Sequence, residues 1–365
     1  MQKKTEILIV GAGPSGLSVA IFLSELGYHP RIIDKKPVIS DYSKALAVNP
    51  RTLEIFDEFN LTERFLQNGR KLIGVNFWKN EKFIFRNDFQ KVKHKYPFLL
   101  IQPQKESEQM LLEELSDRKI NVEYSAQFDL FEQNGKEYIS TFTNGDKEFQ
   151  TSDYIIGADG AHSVIRKQLQ IEFEGLRYKD TWELYDVELD TPFPKNEAQI
   201  KVLDKGGMII IPIKENLWRV AGNLKNLLSY LPKNTIPGKI IWESKFNISH
   251  NLARSLVRDN VVLIGDAAHL HSPIGGRGMN LGIEDAYFVS KLIKNNRLNE
   301  YDKLRMNYLR KTVNRINNIT QFVASDSGFI GVLRKRTSII KPFLPFIMPA
   351  ARKFALGLDE HNKLF

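Results

Sequence analysis

The sequence predicts an α/β fold in which a parallel sheet is interrupted by a second, mainly antiparallel sheet and followed by a helical C-terminal tail. Three observations predict this fold. A short apolar run, a glycine loop and a helical pattern follow one another at residues 6–26. Residues 175–250 alternate apolar and polar side chains, which is typical of strands with one covered face. Two long helical patterns then occupy residues 279–294 and 298–322.

The N-terminal region predicts a β-α-β unit. Residues 6–10 have the pattern of an apolar strand, residues 14–26 have helical spacing, and Gly27 is suited to end that helix. A second strand pattern at residues 31–34 ends in Asp34. Because a helix between two strands makes them parallel neighbours, this unit begins the parallel sheet.

Further elements are expected from the same kinds of pattern. Helices are expected at residues 51–59 and 106–118, and several strands within 121–156, with tight turns at Asn134-Gly135 and Asn144-Gly145. In the second sheet, strands are expected at residues 182–189, 200–203, 208–213 and 218–221. Prolines at positions 342, 345 and 349 predict a broken helix in the tail.

These elements predict two domains and a tail. The first domain is discontinuous and comprises residues 1–72, 97–174 and 251–325. Residues 73–96 and 175–250 form the second, β-sheet domain, and residues 326–365 form a C-terminal helical segment. A chain of 365 residues is long enough for two domains with a sizeable core.

Composition narrows the class of function. The chain has no cysteine, which excludes disulfides, thiolate catalysis and Cys-bound metals. Its net charge is +9, which we attribute to a solvated surface and an anionic ligand, because the basic residues follow no nucleic-acid-binding module. No signal peptide or membrane-spanning segment is expected, so we expect a cytoplasmic protein. Peripheral membrane contact through the basic tail is the less favoured alternative to a tail that bridges the domains or covers the pocket.

The first of three motifs is Gly11-Ala12-Gly13-Pro14-Ser15-Gly16, directly after the first strand. Its glycines permit a tight turn, close approach of a diphosphate to the backbone, and close packing of helix on strand. Asp34 is placed to bind a ribose. The motif therefore predicts dinucleotide binding, and a plain glycine-rich turn is the alternative.

The other two motifs come later in the chain. Residues 153–166 run from a strand into Gly157-Ala158-Asp159-Gly160, which alone is equally consistent with a simple turn. Residues 261–286 run from a strand into Gly265-Asp266, then through Pro273 and a glycine cluster into a helix that begins near Met279. The N–H groups and partial positive charge of such a helix start suit an electron-rich ligand. Two glycine loops roughly 250 residues apart indicate one long ligand held at both ends.

In this order and spacing, GAGPSG, GADGAHSVIR and GDAAHLHSPIGGRGMN resemble the motifs of the group A flavoprotein monooxygenases, the aromatic hydroxylases built like p-hydroxybenzoate hydroxylase. The resemblance covers nearly all of residues 1–325, and the short chain is similar to compact two-domain members, including tetracycline-modifying ones. It implies a Rossmann-like FAD-binding domain of the GR2 type with an inserted substrate sheet. It also implies FAD as cofactor, NAD(P)H as a transient reductant, and hydroxylation of an aromatic or polycyclic small molecule by O2 through a flavin C4a-hydroperoxide.

Carried over by position, the resemblance implies cofactor contacts for a set of residues in these motifs. They are Gly11, Ala12, Gly13, Pro14, Ser15, Gly16, Asp34, Lys35, Lys44, Gln104, Asp159, Arg166, Gly265, Asp266, Pro273, Gly276, Gly278, Met279 and Asn280. The first glycine loop would hold the diphosphate, Asp34 the adenosine ribose, and Gln104 the ribityl or flavin region. Asp266 would bind the ribityl chain or diphosphate, and N–H groups from Gly278 onward would face the flavin. Asp159 and Arg166 would support the cofactor and the transient nicotinamide nucleotide.

Two positions depart from the family pattern. Many relatives have Arg where this chain has Lys44, and Lys lacks the bidentate fork that suits a diphosphate. Many have Gln where this chain has Arg277. Arg277 either modulates the flavin as a fixed cation or points to solvent, as loop arginines commonly do.

No catalytic side chain is assigned, because the flavin carries the hard step while the protein positions the ring and excludes water. No metal is expected: His269 and His271 lack a further nearby ligand, and we interpret His269 as structural. The substrate pocket is expected between the 175–250 sheet and the flavin edge. Its candidate lining is Phe77, Trp182, Met208 and Ile210, each of which is equally well explained as ordinary core.

Two alternative functions stay open. One is a flavin-dependent halogenase or polyprenyl reductase of the same fold, although the four tryptophans form no Trp-x-Trp pair of the halogenase kind. The other is a flavin-bearing protein that sequesters a ligand without turning it over.

Overall fold

The computed structural model describes residues 3–41, 45–273, 276–324 and 344–359. These residues contain eight α-helices: α1 Pro14–Glu25, α2 Pro50–Glu58, α3 Thr62–Asn68, α4 Gln104–Asp117, α5 Val164–Gln168, α6 Gly278–Lys294, α7 Tyr301–Ala324 and α8 Leu344–Ala355.

Strands occupy much of the remaining described chain. The N-terminal ones are β1 Lys3–Val10, β2 Arg31–Ile33, β3 Ala47–Val48, β4 Arg70–Leu72, β5 Gly74–Lys79, β6 Lys82–Asp88 and β7 Leu99–Ile101. The central ones are β8 Val122–Glu123, β9 Gln127–Asn134, β10 Glu137–Asn144, β11 Asp146–Gly157 and β12 Phe173–Asp190. The last ones are β13 Glu197–Val202, β14 Gly207–Pro212, β15 Leu217–Gly222, β16 Ile236–Ala253, β17 Val257–Arg258, β18 Val261–Leu263 and β19 His269–Leu270.

The first sheet has a parallel centre. Its strand order is β17-β18-β11-β1-β2-β8, and β18, β11, β1, β2 and β8 run parallel to one another. Ile7, Leu8 and Ile9 are fully buried, because β1 is covered on both faces, as expected of a central parallel strand. Helix α1 connects β1 to β2 and packs against α4 and α6. The predicted β-α-β unit is confirmed.

The second sheet has the order β19-β16-β12-β15-β14-β13-β5-β6. Its neighbours are antiparallel except for β13 and β5, which run parallel. A small third sheet has the order β3-β7-β4. Its strands β4 and β7 come directly before and after the first two strands of the second sheet in the chain. The structure confirms the predicted combination of a parallel sheet with a mainly antiparallel one, while the exact domain boundaries remain a prediction.

Two differences from the sequence-based expectation concern the second sheet and the C-terminal tail. Strand β16 was not expected, because residues 236–245 are mostly exposed and show little of the alternation between buried and exposed positions that marks a strand. The prediction of a broken helix is wrong for residues 344–355, where α8 continues through Pro349. Pro349 lies near the helix start, so the backbone hydrogen bond that it cannot donate would have ended in the first turn. Residues 326–343 and 360–365 of the predicted tail lie outside the described residues.

Within the described part of the chain, no helix is both long enough and apolar enough to cross a membrane.

Candidate functional site

A cleft of about 1500 Å³ lies between the two large sheets. Its walls are formed by the carboxyl ends of β1, β2 and β11, by one face of the second sheet, by the start of α6 and by α8. Among the predicted cofactor residues, those that line it are Gly11, Gly13, Pro14, Ser15, Asp34, Lys35, Gln104, Asp159, Asp266, Pro273, Gly276, Gly278 and Met279. The chain therefore brings residues from all three motifs together in one cleft.

The first glycine loop is shaped by contacts that leave no room for side chains. Gly11 has a φ of +107°, and a Cβ there would lie 2.2 Å from the carbonyl oxygen of Ala158. A Cβ on Gly16 would lie 1.9 Å from the carbonyl oxygen of Gly11, so helix α1 packs directly on the loop. At Gly13, in contrast, a Cβ would meet no atom within 4 Å. Gly13 therefore faces open space in the cleft, where a ligand can approach the backbone.

Asp34 stands at the end of β2 and is held by the same loop. Its Oδ2 accepts a hydrogen bond from the Ala12 N–H at 2.7 Å, and its Oδ1 accepts one from the Lys36 N–H at 2.8 Å. Each carboxylate oxygen has a second lone pair, so the fixed side chain can still accept a hydrogen bond from a hydroxyl group of a ligand.

Two helices present their N-termini to this cleft without a side-chain cap. The N-cap residues are Gly13 for α1 and Arg277 for α6, and neither side chain accepts a hydrogen bond from the first turn. In contrast, Asn49 caps α2 and Ser163 caps α5. Uncapped N–H groups and the helix dipole attract negative charge. The start of α1 is thus suited to a diphosphate and the start of α6 to an electron-rich ring edge.

The third motif approaches the first glycine loop closely. Gly265 has a φ of +60°, and a Cβ there would lie 2.5 Å from Ser15 Oγ. A Cβ on Gly282 would lie 2.1 Å from the same oxygen. The start of α1 therefore packs against Gly265 and against the second turn of α6, and Asp266, next to Gly265, lines the cleft.

A buried charge network fixes helix α6 beneath this contact. The Asp285 carboxylate lies 2.5 Å from His269 Nε2 and accepts the Gly265 N–H at 3.1 Å. Arg305 of α7 donates to Asp285 and to Glu284 at 3.0 Å each. Burial alone would raise the pKa of Asp285, but the charges of His269 and Arg305 outweigh it and lower the pKa to about 2. This agrees with the structural role that we gave to His269.

Sequence reasoning missed the other members of this network. Glu284 and Asp285 are adjacent acids in an otherwise apolar helical pattern, and that was the signal for a buried ion pair. His271 was also underestimated. It lines the cleft beside Gly278, and burial lowers its pKa to about 3, so a neutral imidazole stands at the start of α6.

Asn280 acts through its side chain, which is fully buried below the cleft surface. Its Oδ1 accepts hydrogen bonds from the Asn49 N–H at 2.9 Å and from Thr52 Oγ1 at 2.8 Å. Its Nδ2 donates to the carbonyls of Ala47 and Gly276 at 2.8 Å each. The side chain thus joins the glycine cluster, the α6 start and the α2 start, while the first turn of α6 remains directed at the cleft.

Two predicted residues are placed differently from expectation. Arg166 does not face a nucleotide: it is buried, donates to the carbonyls of Ala267 and Ala161, and packs on the Phe173 ring. Its hydrogen bond to the Ala267 carbonyl holds the backbone next to Asp266. Arg277 does not point to solvent, because its guanidinium is fully buried against the C-terminal helix, and the residue also lines the cleft.

Other predicted residues support the cleft or lie elsewhere. Three predicted residues contact neighbouring backbone or side chains and hold the glycine loops in place: Ala12, Gly16 and Gly265. Lys44 lies outside the described residues.

One face of the second sheet forms the apolar floor of the cleft. Leu184, Ala221, Ile209, Ile200 and Phe77 line it and follow one another across neighbouring strands. The Phe77 ring stacks on Phe85 at 4.4 Å between centroids. Phe77 and Trp182, two of the four predicted pocket residues, lie on this floor, and Met208 lies at its margin.

The expectation for Ile210 is corrected by the structure. Ile210 is fully buried on the opposite face of the sheet, in a core cluster with Val187, Trp218 and Val220. Its neighbours Ile209 and Ile211 line the cleft instead. Successive side chains of a strand point to opposite faces, so a one-residue error moves a residue from pocket to core.

Among the described residues, no group of three or more His, Asp or Glu side chains is arranged to hold a metal ion. The residues present fit a long dinucleotide instead. The open space at Gly13, the fixed carboxylate of Asp34 and the two uncapped helix N-termini match a diphosphate, a ribose and an electron-rich ring.

Comparison with known proteins agrees with this fit. The family described as FAD binding domain matches residues 4–222 and 221–322. The chain is 31% identical over 309 residues to an uncharacterised aromatic compound monooxygenase of Bacillus subtilis (strain 168), which covers 78% of this chain and 60% of that protein. It is 30% identical over 307 residues to pentachlorophenol 4-monooxygenase of Sphingobium chlorophenolicum, covering 77% and 56%. The chain thus spans less than two thirds of the length of these relatives.

Solved structures show the same fold. A p-nitrophenol 4-monooxygenase from Pseudomonas putida DLL-E4 superposes with a TM-score of 0.84 at 17% identity, covering 97% of this chain and 99% of that one. An anhydrotetracycline hydroxylase from Streptomyces rimosus superposes with a TM-score of 0.81 at 21% identity, covering 98% and 77%. The family match spans all three motifs and confirms the resemblance that they carry. The chain belongs to the FAD binding domain family, and FAD is the cofactor of its cleft.

Proposed function

We propose that the protein is an FAD-dependent monooxygenase that uses NAD(P)H and O2 to hydroxylate an aromatic or polycyclic small molecule. One observation carries the proposal: a single cleft joins a dinucleotide-binding end to a broad apolar floor. Relatives named as an aromatic compound monooxygenase and a pentachlorophenol monooxygenase support the same class of reaction.

When bound, FAD supplies the redox and oxygen-activating chemistry. The residues of this chain bind and orient it. N–H groups at the start of α1 suit the diphosphate, and Asp34 suits a ribose hydroxyl. The uncapped start of α6 would stabilise negative charge on a ring bound beside it, because its N–H groups and dipole are already oriented.

The floor supplies the other requirement, which is a site that excludes water. Its central side chains Leu184, Ala221, Ile209, Ile200 and Phe77 are aliphatic or aromatic, so this part of the floor offers water no hydrogen-bond partners. The cleft, at about 1500 Å³, is larger than the usual ligand pocket of about 300–1,000 Å³. A dinucleotide and a ring system therefore fit together, which favours a flat substrate that spans the floor.

The charge of the floor indicates the kind of ring. Arg219 lines the cleft, but its Nε and Nη2 donate to both oxygens of Asp186 at 2.7 and 2.8 Å. Because Asp186 balances this cation, the floor favours an uncharged phenol over an aromatic carboxylate. NAD(P)H is proposed to bind transiently, since the sequence has one dinucleotide fingerprint and FAD uses it.

The proposal is tested with FAD-loaded protein and a panel of uncharged phenols, fused phenols and matched aromatic acids. Oxidation of NADH and NADPH and consumption of O2 are measured with and without each ring. We expect an uncharged ring to accelerate both and to be recovered as a hydroxylated product. Ring-independent oxidation, or tight ring binding with no product, would support a sequestering flavoprotein. A product that requires halide would support a halogenase.

A further inference from the structure

The C-terminal helix forms part of the cleft wall. Ile347, Met348 and Ala351 of α8 line the cleft. Leu356 and Leu358, in the segment that follows α8, are buried in a core cluster with residues of β4, β7 and β13. One side of α8 therefore forms part of the cleft wall and the residues after it are packed into the core, while Phe346 near the helix start is exposed.

One guanidinium connects this segment to helix α6. Arg277 Nη1 donates to the carbonyl oxygen of Phe354 at 2.7 Å and to Asp359 Oδ1 at 3.2 Å, and its Nη2 donates to Tyr308 Oη at 2.6 Å. Arg277 is fully buried, and the Asp359 side chain is only 6% exposed. Since Arg277 is also the N-cap residue of α6, the tail is fastened at the first turn of that helix.

A second contact reaches the same end of α6. Gly357 has a φ of +73°, and a Cβ there would lie 2.5 Å from Asn49 Nδ2. The Asn49 N–H in turn donates to Asn280 Oδ1 in the first turn of α6. The turn after α8 is therefore packed closely against Asn49, which in turn holds the Asn280 side chain.

Burial makes these contacts interdependent. A fully buried cation is stable only while its partners hold it, and removal of one partner leaves an uncompensated charge. Displacement of the tail would thus leave Arg277 without Phe354 and Asp359. Lysine would not replace it, because an ammonium lacks the planar fork that reaches a carbonyl, a carboxylate and a hydroxyl at once.

We propose that Arg277 is a positioning residue that couples the C-terminal segment 344–359 to the cofactor-binding start of α6. The order of the tail and the affinity for FAD then depend on each other. This rests on the proposed function only in so far as the first turn of α6 faces FAD.

The experiment uses the full chain and three variants. Asp359→Asn removes the charge that holds Arg277 while keeping the side-chain shape, and Arg277→Lys is the conservative change of the cation. The matched control is Arg315→Gln, because Arg315 contacts the other oxygen of Asp359 at 2.8 Å but is 48% exposed. Hydrogen exchange of residues 344–359 is measured without and with FAD, and the FAD dissociation constant is measured by flavin fluorescence.

Coupling is reciprocal, so FAD should slow exchange of the tail amides in the wild type by at least about fivefold. In Asp359→Asn and Arg277→Lys we expect the FAD dissociation constant to rise by a similar factor of about five, with the FAD-dependent slowing lost. Arg315→Gln should behave as the wild type, because exposed ion pairs contribute little. A tail that is merely structural would exchange faster in the variants yet still respond to FAD.

The outcomes separate this inference from the proposed function. The coupling is overturned if FAD does not change the hydrogen-exchange rate of residues 344–359 in the wild type. It is also overturned if FAD slows this exchange as much in Asp359→Asn as in the wild type. Normal coupling without hydroxylation of any ring overturns the proposed function alone. A wild-type protein that does not bind FAD overturns both.

Discussion

At the residue scale, two glycines of one loop serve different purposes. Gly11 is required by the fold, because a Cβ would lie 2.2 Å from the Ala158 carbonyl oxygen and its φ is +107°. Gly13 faces open space, so the fold does not require it, and we propose that close approach of the ligand does. The fingerprint predicted both from the sequence, since its spacing carries a separate physical reason for each position.

Substitution of Gly13 should change the affinity for FAD, whereas substitution of Gly11 should change the stability of the fold. Gly13→Ala should leave the thermal unfolding midpoint of the FAD-free protein unchanged but raise the FAD dissociation constant at least about tenfold, or about 1.4 kcal/mol. Gly11→Ala should lower the unfolding midpoint itself, because the clash is with backbone. Thermal unfolding and flavin fluorescence on both variants check this, and a Gly13→Ala protein with wild-type FAD affinity would contradict the placement of the diphosphate.

His250 provides a pH-dependent term in stability. It is 4% exposed, neither ring nitrogen has a partner among the described residues, and burial lowers its pKa from 6.5 to about 4. Between these pH values the unfolded chain binds a proton that the folded chain does not. The His250 contribution to the free energy of unfolding should therefore fall by about 1.4 kcal/mol per pH unit as the pH drops through that window.

His250→Phe keeps a buried ring and removes the titration. Urea unfolding of both proteins from about pH 7 down to about pH 4.5 should show a variant whose stability, relative to wild type, improves steadily as the pH falls. Parallel curves for the two proteins would show that His250 is not buried in its neutral form.

At the element scale, helix α6 is held by its buried acids. Asp285 compensates Arg305 and His269 and accepts the Gly265 N–H, so it positions the third motif as well as the helix. Asp285→Asn should lower the free energy of unfolding by about 3 kcal/mol, because it leaves buried positive charge uncompensated. The matched control is Arg297→Gln, which breaks an exposed pair with Glu300 and should leave the urea midpoint unchanged. Equal urea midpoints for wild type and Asp285→Asn would show that Asp285 does not stabilise helix α6.

Strand β14 has one face toward the cleft and one toward the core. Ile209→Trp should narrow the floor, raising KM for fused rings more than for a single ring while leaving FAD affinity unchanged. Ile210→Ala should instead lower the free energy of unfolding by about 2–4 kcal/mol through a core cavity, with little change in KM. Steady-state kinetics and urea unfolding of both variants measure the difference, and reversed effects would show that the faces of the sheet are assigned wrongly.

The same strand shows what the sequence could predict at this scale. Residues 208–213 were predicted as a strand, but every side chain in this run is apolar, so the pattern could not tell the pocket face from the core face. Ile210 was misplaced for that reason, because only the pairing of β14 with β13 and β15 decides it. A helical tail was predicted, but the continuity of α8 through Pro349 was not, because a proline penalty weighs less near a helix start than local sequence rules suggest.

At the scale of the whole molecule, function depends on contacts between distant segments. The approach of Gly265 and Gly282 to Ser15, and of Arg277 to Asp359, joins parts of the chain that have no local relation. Spacing could predict that one ligand links the two glycine loops. It could not predict that the C-terminal helix forms a wall, because that depends on long-range packing of a segment with weak local preference.

We propose that the protein inserts one oxygen atom of O2 into a ring bound on the floor of the cleft. The most direct measurement incubates FAD-loaded protein, NAD(P)H and an accelerating phenol under isotopically heavy O2 and then weighs the product. We expect a hydroxylated ring that carries one heavy oxygen atom and that forms only when both FAD and NAD(P)H are present. A product whose new oxygen comes from water, or complete absence of ring oxidation while NAD(P)H is consumed, would contradict it.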